Sequence, residues 1–135
     1  MHALRENLMT VPSRKRRVVV VVPDLIFATR IVETAKQLGV EVLTSTRERA
    51  AFECRFAPTD LLVLDLEATP DLAGLKRELD ADPENPRVST IGFYPHVRAE
   101  LRTTALAAGI DRVLPRSAFT ARLGPLLLGE VDPSR

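Results

Sequence analysis

From residue 17 onward the sequence alternates short, continuously apolar runs with longer stretches in which apolar residues recur every three or four positions. A run that is apolar at every position has no face to give to water. It must be a strand covered on both sides, which selects a parallel sheet between two layers of helices. The first such run spans residues 18–22 and ends at Pro23-Asp24. Asp24 stands where a helix N-cap belongs, and Ala28, Ile31, Val32, Ala35 and Leu38 form an apolar stripe stopped by Gly39. Further strands are predicted over 40–43, 61–64, 87–93 and 110–114. Helices are predicted over 46–56, from Pro70-Asp71 to Asp82-Pro83, from Pro95 to Gly109, and from a Ser117 cap onward. Gly124-Pro125 is expected to kink or interrupt the last one. Five strand–helix units with right-handed crossovers make a doubly wound, five-stranded α/β sandwich of the flavodoxin-like type, in which function gathers at the carboxyl ends of the strands.

The chain's 135 residues allow one such domain, expected over 17–129, with a basic arm over 1–16 and a short tail over 130–135, and they exclude a multidomain enzyme. Its 45% hydrophobic and 27% charged residues match a globular protein rather than a disordered or membrane-embedded one. The run 18–22 is too short for a spanning helix, and no small-residue cleavage site follows it, so a cytoplasmic protein is expected. Cys54, the single cysteine, cannot form an intramolecular disulfide and is expected to be a half-buried helix residue. Residues 1–17 carry five basic groups and one acid, a net of +4, and the remaining 118 carry fourteen against seventeen, a net of −3. The basic character sits in Arg14-Lys15-Arg16-Arg17, which is expected to be a solvated flank beside the first strand. No aromatic residue interleaves with it, so a nucleic-acid partner is disfavoured.

Three polar residues fall at the carboxyl ends of strands: Asp24 after the first, Asp65 closing the third, and Arg116 after the fifth. Two carboxylates converging on a crevice repel unless a hard cation or a cationic side chain answers them. A carboxylate so placed can attack a phosphoryl donor, with a divalent ion neutralising the transferring oxygens. Each residue also has a plain structural explanation, Asp24 as a cap and Asp65 as a turn residue.

The stretches Val18 to Asp24 with Gln37-Leu38-Gly39, Pro58-Thr59-Asp60 through Asp65, and Ala107-Ala108-Gly109 through Pro115-Arg116 occur in the order and spacing of a known family. Over residues 17–129 the chain resembles the CheY-like receiver domain of bacterial response regulators. The resemblance implies a phosphoacceptor at Asp65 and a Mg²⁺ site using Asp24, Asp65 and the backbone carbonyl of Glu67, with a histidine kinase as donor. It also implies a switch through a hydroxyl residue closing strand four and a lysine after strand five.

The departures from that pattern cluster in the site. Pro23 replaces one of the two acids after strand one, Tyr94 replaces the switch hydroxyl, and Arg116 replaces the lysine. Pro115 precedes the basic residue rather than following it, and the loop from Asp65 to Pro70 is one residue longer than usual. Arg116 could bridge Asp24 and Asp65 without metal, or the Glu67 carboxylate could partly replace the missing acid. The favoured reading is a degenerate, stand-alone receiver, a pseudo-receiver acting by protein–protein contact with a kinase or a downstream regulator. A working phosphoacceptor with Mg²⁺ is the alternative. A small nucleotide- or flavin-binding enzyme is disfavoured, because Pro23-Asp24-Leu25-Ile26 offers no glycine turn to cradle phosphate. Phe119, Leu123 and Leu127 are candidate partner-surface residues, with a homodimer through helices four and five as the occupant.

Overall fold

The computed structural model describes residues 14–81 and 87–130; the predicted helix stop at Asp82-Pro83 and most of the arm and tail lie outside them. The elements run β1 (Arg17–Val21), α1 (Leu25–Gln37), β2 (Glu41–Thr44), α2 (Arg47–Phe56), β3 (Leu61–Asp65), α3 (Leu72–Asp80) and β4 (Ser89–Tyr94). A 3-10 turn (His96–Arg98), α4 (Glu100–Ala107), β5 (Arg112–Pro115), α5 (Arg116–Ala121) and α6 (Leu123–Leu127) complete the order. All strands pair in parallel, in the spatial order β2-β1-β3-β4-β5, as the apolar runs predict.

Strand alternation divides the core in two. Val18, Val20 and Val22 pack with Phe27, Ile31 and Phe119 beneath α1, α5 and α6. Val19 and Val21 pack with Ala51, Leu75 and Ala105 beneath α2, α3 and α4. Each fully buried Val, Leu, Ile or Phe side chain contributes about 1.5–3 kcal/mol, so the continuous run of β1 serves both layers at once. Gly39 and Gly109 hold φ of +73° and +97° at the ends of α1 and α4, the left-handed stop their positions predict.

Several expectations need correction. Ser117 caps nothing: the last helical segment starts at Arg116 without a side-chain cap. Its break falls at Arg122, where φ is −115° and ψ is 20°, rather than at Gly124-Pro125. The earlier break places Pro125 in the first turn of α6, where a missing N–H costs little. Pro95 opens a 3-10 turn before α4 begins, and β4 starts two residues late but extends through Tyr94.

The basic cluster is a solvated flank only in part: Arg14 and Lys15 are exposed, but the arginines are engaged across the fold. Arg17 is buried, and its Nη1 donates to the carbonyls of Glu53 and Ala57 and to Thr59 Oγ1, at 2.9, 3.1 and 2.6 Å. Arg14 forks onto both carboxylate oxygens of Asp60 at 2.9 Å, and Arg16 Nε donates to the Leu127 carbonyl at 2.6 Å. These side chains staple the entry to β3 and the end of α6 onto β1. Cys54 is buried rather than half-buried, and burial pushes its thiol up to about 11, which leaves it unreactive at neutral pH. Among the described residues no helix is long and apolar enough to cross a membrane.

Candidate functional site

Asp24 and Asp65 lie at the same end of neighbouring strands because β1 and β3 pair in register, Val21 beside Leu64. Pro23 ends the first ladder and hands the chain to α1, where Asp24 is the N-cap. Its Oδ1 accepts from the amides of Ile26 and Phe27 at 3.0 and 3.2 Å. The other oxygen, Oδ2, faces Arg116 Nη2 at 3.7 Å, with both side chains nearly half exposed. The Arg116 guanidinium rests 4.1 Å above the centre of the Phe27 ring, whose face attracts the cation alongside the carboxylate.

Asp65 closes β3 opposite Phe93. Its Oδ1 accepts from the Glu67 amide at 3.1 Å, while its carbonyl receives Ala68 N at 3.1 Å and Thr69 Oγ1 at 2.6 Å. Burial desolvates the carboxylate and raises its pKa, outweighing the amides of Glu67 and Ala68 and the distant Arg116 charge that favour ionisation. Arg116 therefore reaches Asp24, and among the described residues it makes no ion pair with Asp65 within 4 Å. The bridging triad that the three residues suggested is a pair plus a longer-range attraction.

The remaining predicted site residues disperse. The Glu67 carboxylate turns outward to Arg98 Nη1 at 3.3 Å, and Arg98 also holds Glu100 at 2.6 Å. Among the described residues, no three acidic, histidine or cysteine side chains come together as a group able to hold a metal ion. Tyr94 is buried at the end of β4 in the layer that contains Ala105 and Val113, so its ring fills core and not the crevice. Phe119, Leu123 and Leu127 are corrections of a different kind, being at most 5% exposed. The apolar residues there are absorbed by the core, since together with Leu126 they recur at the i, i+4, i+7, i+8 spacing of a single inward-facing stripe.

No protein-family model and no curated protein matches the chain. Among solved structures, a response regulator receiver protein from Burkholderia phymatum is 25% identical to it. That likeness spans 88% of this chain and 99% of the other, with a TM-score of 0.64. The chain is a CheY-like receiver domain in fold. The receiver domain of a sensor histidine kinase from Pseudomonas aeruginosa, with a magnesium ion coordinated in its active-site cleft, has a TM-score of 0.68 at 20% identity, covering 86% of this chain and 99% of that one. A phosphorylated cyanobacterial phytochrome response regulator has a TM-score of 0.64 at 17% identity, covering 85% and 90%.

Three features of this receiver crevice escaped the sequence reading. Gly92, in β4, faces Leu66, and a Cβ there would fall 2.6 Å from Leu66 Cδ2. The bare backbone lets Leu66 fold down over the sheet and so fixes the loop that follows Asp65. An isolated glycine inside a strand was the available signal. Arg47, largely buried, donates to the carbonyls of Pro70 and Asp71 at 3.0 and 3.2 Å and pairs with Glu78 at 3.1 Å. It clamps the lengthened loop, and nothing in its local sequence marks it. Finally, Leu25 and Ile26 in the first turn of α1 and Val97 in the 3-10 turn after β4 are 80%, 86% and 80% exposed. They leave the carboxyl end of the sheet with large apolar side chains in water.

Proposed function

We propose that this protein is a signalling module of the two-component type that acts by protein–protein contact, as a pseudo-receiver whose crevice is held in one state. The observation that carries the reading is the placement of Arg116, 3.7 Å from Asp24 and stacked on Phe27. A guanidinium there supplies at the crevice the positive charge that a divalent ion would otherwise bring. The donor set supports a weakened Mg²⁺ site: one Asp24 oxygen caps α1, the other faces Arg116, and Glu67 is drawn off to Arg98. Mg²⁺ would be held by Asp24, Asp65 and the Glu67 carbonyl, and would neutralise oxygens in phosphoryl transfer.

Phe27 meets Phe93 edge-on at 5.2 Å, and Phe93 stacks on Phe119 at 4.8 Å. The ring beneath Arg116 is therefore tied to β4 and α5, the elements through which a receiver would switch. Leu25, Ile26 and Val97 provide apolar surface for a partner, a histidine kinase or a downstream regulator, in place of the buried residues of the last helices. A homodimer through α4, β5 and α5 would have to use other side chains, such as the exposed Leu106 and Leu128.

The second reading, a working phosphoacceptor, draws on Asp65 itself, which stands at the end of β3 with backbone amides of the following loop beside it. Intact mass after incubation with Mg²⁺ and acetyl phosphate decides between them. The pseudo-receiver reading expects no gain in mass. Addition of one phosphoryl group, absent in Asp65→Asn, would establish the other reading.

A further inference from the structure

A cavity of about 790 Å³ lies at the opposite end of the sheet from Asp65, among the starts of β1, β3, β4 and β5. Along β3 the two ends are about 13 Å apart. Five arginines, Arg14, Arg16, Arg55, Arg87 and Arg112, line it. Two have carboxylate partners: Arg14 pairs with Asp60 at 2.9 Å and Arg87 with Asp111 at 3.0 Å. The other three have none among the described residues. Arg16 and Arg55 spend donors on the carbonyls of Leu127 and Glu78, and Arg112 Nε is buried without a hydrogen-bond partner. Against the five stand Asp60, Asp111 and Glu130, so the lining carries a net charge of +2.

Cationic side chains on a folded surface ordinarily spread into water. Here they converge on a concavity whose remaining wall mixes apolar residues, including Phe56, Leu61 and Ile91, with the hydroxyl residues Thr59, Ser89 and Thr90. A volume within roughly 300–1,000 Å³ that combines apolar wall with converging polar and charged groups is the mark of a site for an organic ligand. Guanidinium groups match phosphate oxygens in a fork geometry, and a phosphate monoester carries about −1.5 to −2 at neutral pH, which balances the lining. Phe56, 73% exposed at the end of α2, offers a ring to a planar body.

We propose that this cavity binds an organic phosphate monoester of mononucleotide size, its charge answered by Arg16, Arg55 and Arg112 and its body laid against Phe56 and the apolar strand starts. The site is independent of whether Asp65 is phosphorylated, because the two lie at opposite ends of the sheet. The test is calorimetric titration of the full chain with adenosine 5′-monophosphate, adenosine and inorganic phosphate. The monophosphate is expected to saturate with a Kd below about 1 mM, and the other two to bind at least about tenfold more weakly, each lacking half of the recognised chemistry. The surface substitution Arg55→Glu, with an unchanged far-ultraviolet spectrum, is expected to weaken binding about tenfold or more, and Arg112→Ala likewise if it folds. Asp65→Asn is expected to bind as the unaltered chain does. Absence of saturable binding at millimolar ligand overturns the proposal, as does equal binding of inorganic phosphate. Indifference to Arg55→Glu, or loss of binding in Asp65→Asn, places the ligand elsewhere and overturns it too.

Discussion

The two ends of the sheet treat charge in opposite ways. At the amino end, arginines reach across elements: Arg17 is buried under three acceptors, Arg14 forks onto Asp60, and Asp111 accepts from Thr90 N and Oγ1 and from Arg87. At the carboxyl end the charges of the crevice are loosely engaged, with Asp24 and Arg116 at 3.7 Å and Asp65 bonded only to its own loop, while the closer pairs of Arg98 and Arg47 hold the flanking loops. The amino end uses charge to hold the chain together. The carboxyl end keeps its charge in reserve, as a site does, and there the stability comes from the aromatic cluster beneath. Removing that cluster should have the largest effect. Phe119→Ala empties a fully buried position between Phe27 and Phe93, and urea denaturation should show a loss of about 3–5 kcal/mol. A loss below about 1 kcal/mol would mean that the cluster is not the support of the crevice.

The contrast between the ends is tested most directly by exchanging one arginine from each for alanine. Arg17→Ala leaves two carbonyls and the Thr59 hydroxyl without their charged donor, so a loss of about 3 kcal/mol is expected. Arg116→Ala removes a long, half-exposed pair and one ring contact, for a loss of about 1 kcal/mol or less. Equal losses in chemical denaturation would erase the distinction between structural and reserved charge.

Much of the fold was legible because its determinants are local and periodic. The valine run of β1, the glycine stops after α1 and α4, and Asp24 as a cap each declare their role within a few residues. The partner-surface assignment failed because the number of apolar residues in the last helices does not by itself say which of them face the sheet. Phe119, Leu123, Leu126 and Leu127 fall at i, i+4, i+7 and i+8, one inward-facing stripe, and all four are buried, while Leu128 beside them is 39% exposed. The arginine cluster was misread because its acceptors, Glu53, Ala57, Thr59, Asp60 and Leu127, are distant in sequence and become neighbours only after the sheet forms. The site was legible in part. Parallel topology brings Asp24 and Asp65 to one end, but the departure of Glu67 toward Arg98 and the seating of Arg116 on Phe27 depend on side-chain packing across loops.

The smallest effect separates the ends by the sign of their response to pH. Asp60 and Asp111 both titrate below the usual carboxylate range. The fork from Arg14 lowers Asp60, and for Asp111 the bonds from Thr90 and Arg87 outweigh a desolvation that acts the other way. They stabilise the fold above their unfolded values, and that stability is lost as pH falls through their lowered folded values. Asp65 does the reverse. Burial raises its pKa, so the native state holds the proton more tightly than the unfolded chain, and stability falls as pH rises through the window between the two values. Asparagine has a similar shape and no charge to desolvate. Asp65→Asn should therefore melt at a higher temperature than the unaltered chain at pH 7.5, with the gap narrowing toward pH 4 as Asp65 itself becomes protonated. Asp60→Asn should instead melt lower at pH 7.5, its deficit also narrowing with acid. A melting temperature of Asp65→Asn that rises relative to the unaltered chain as pH falls would mean that the folded pKa of Asp65 lies below its unfolded value, and the two ends of the sheet would then differ in degree only.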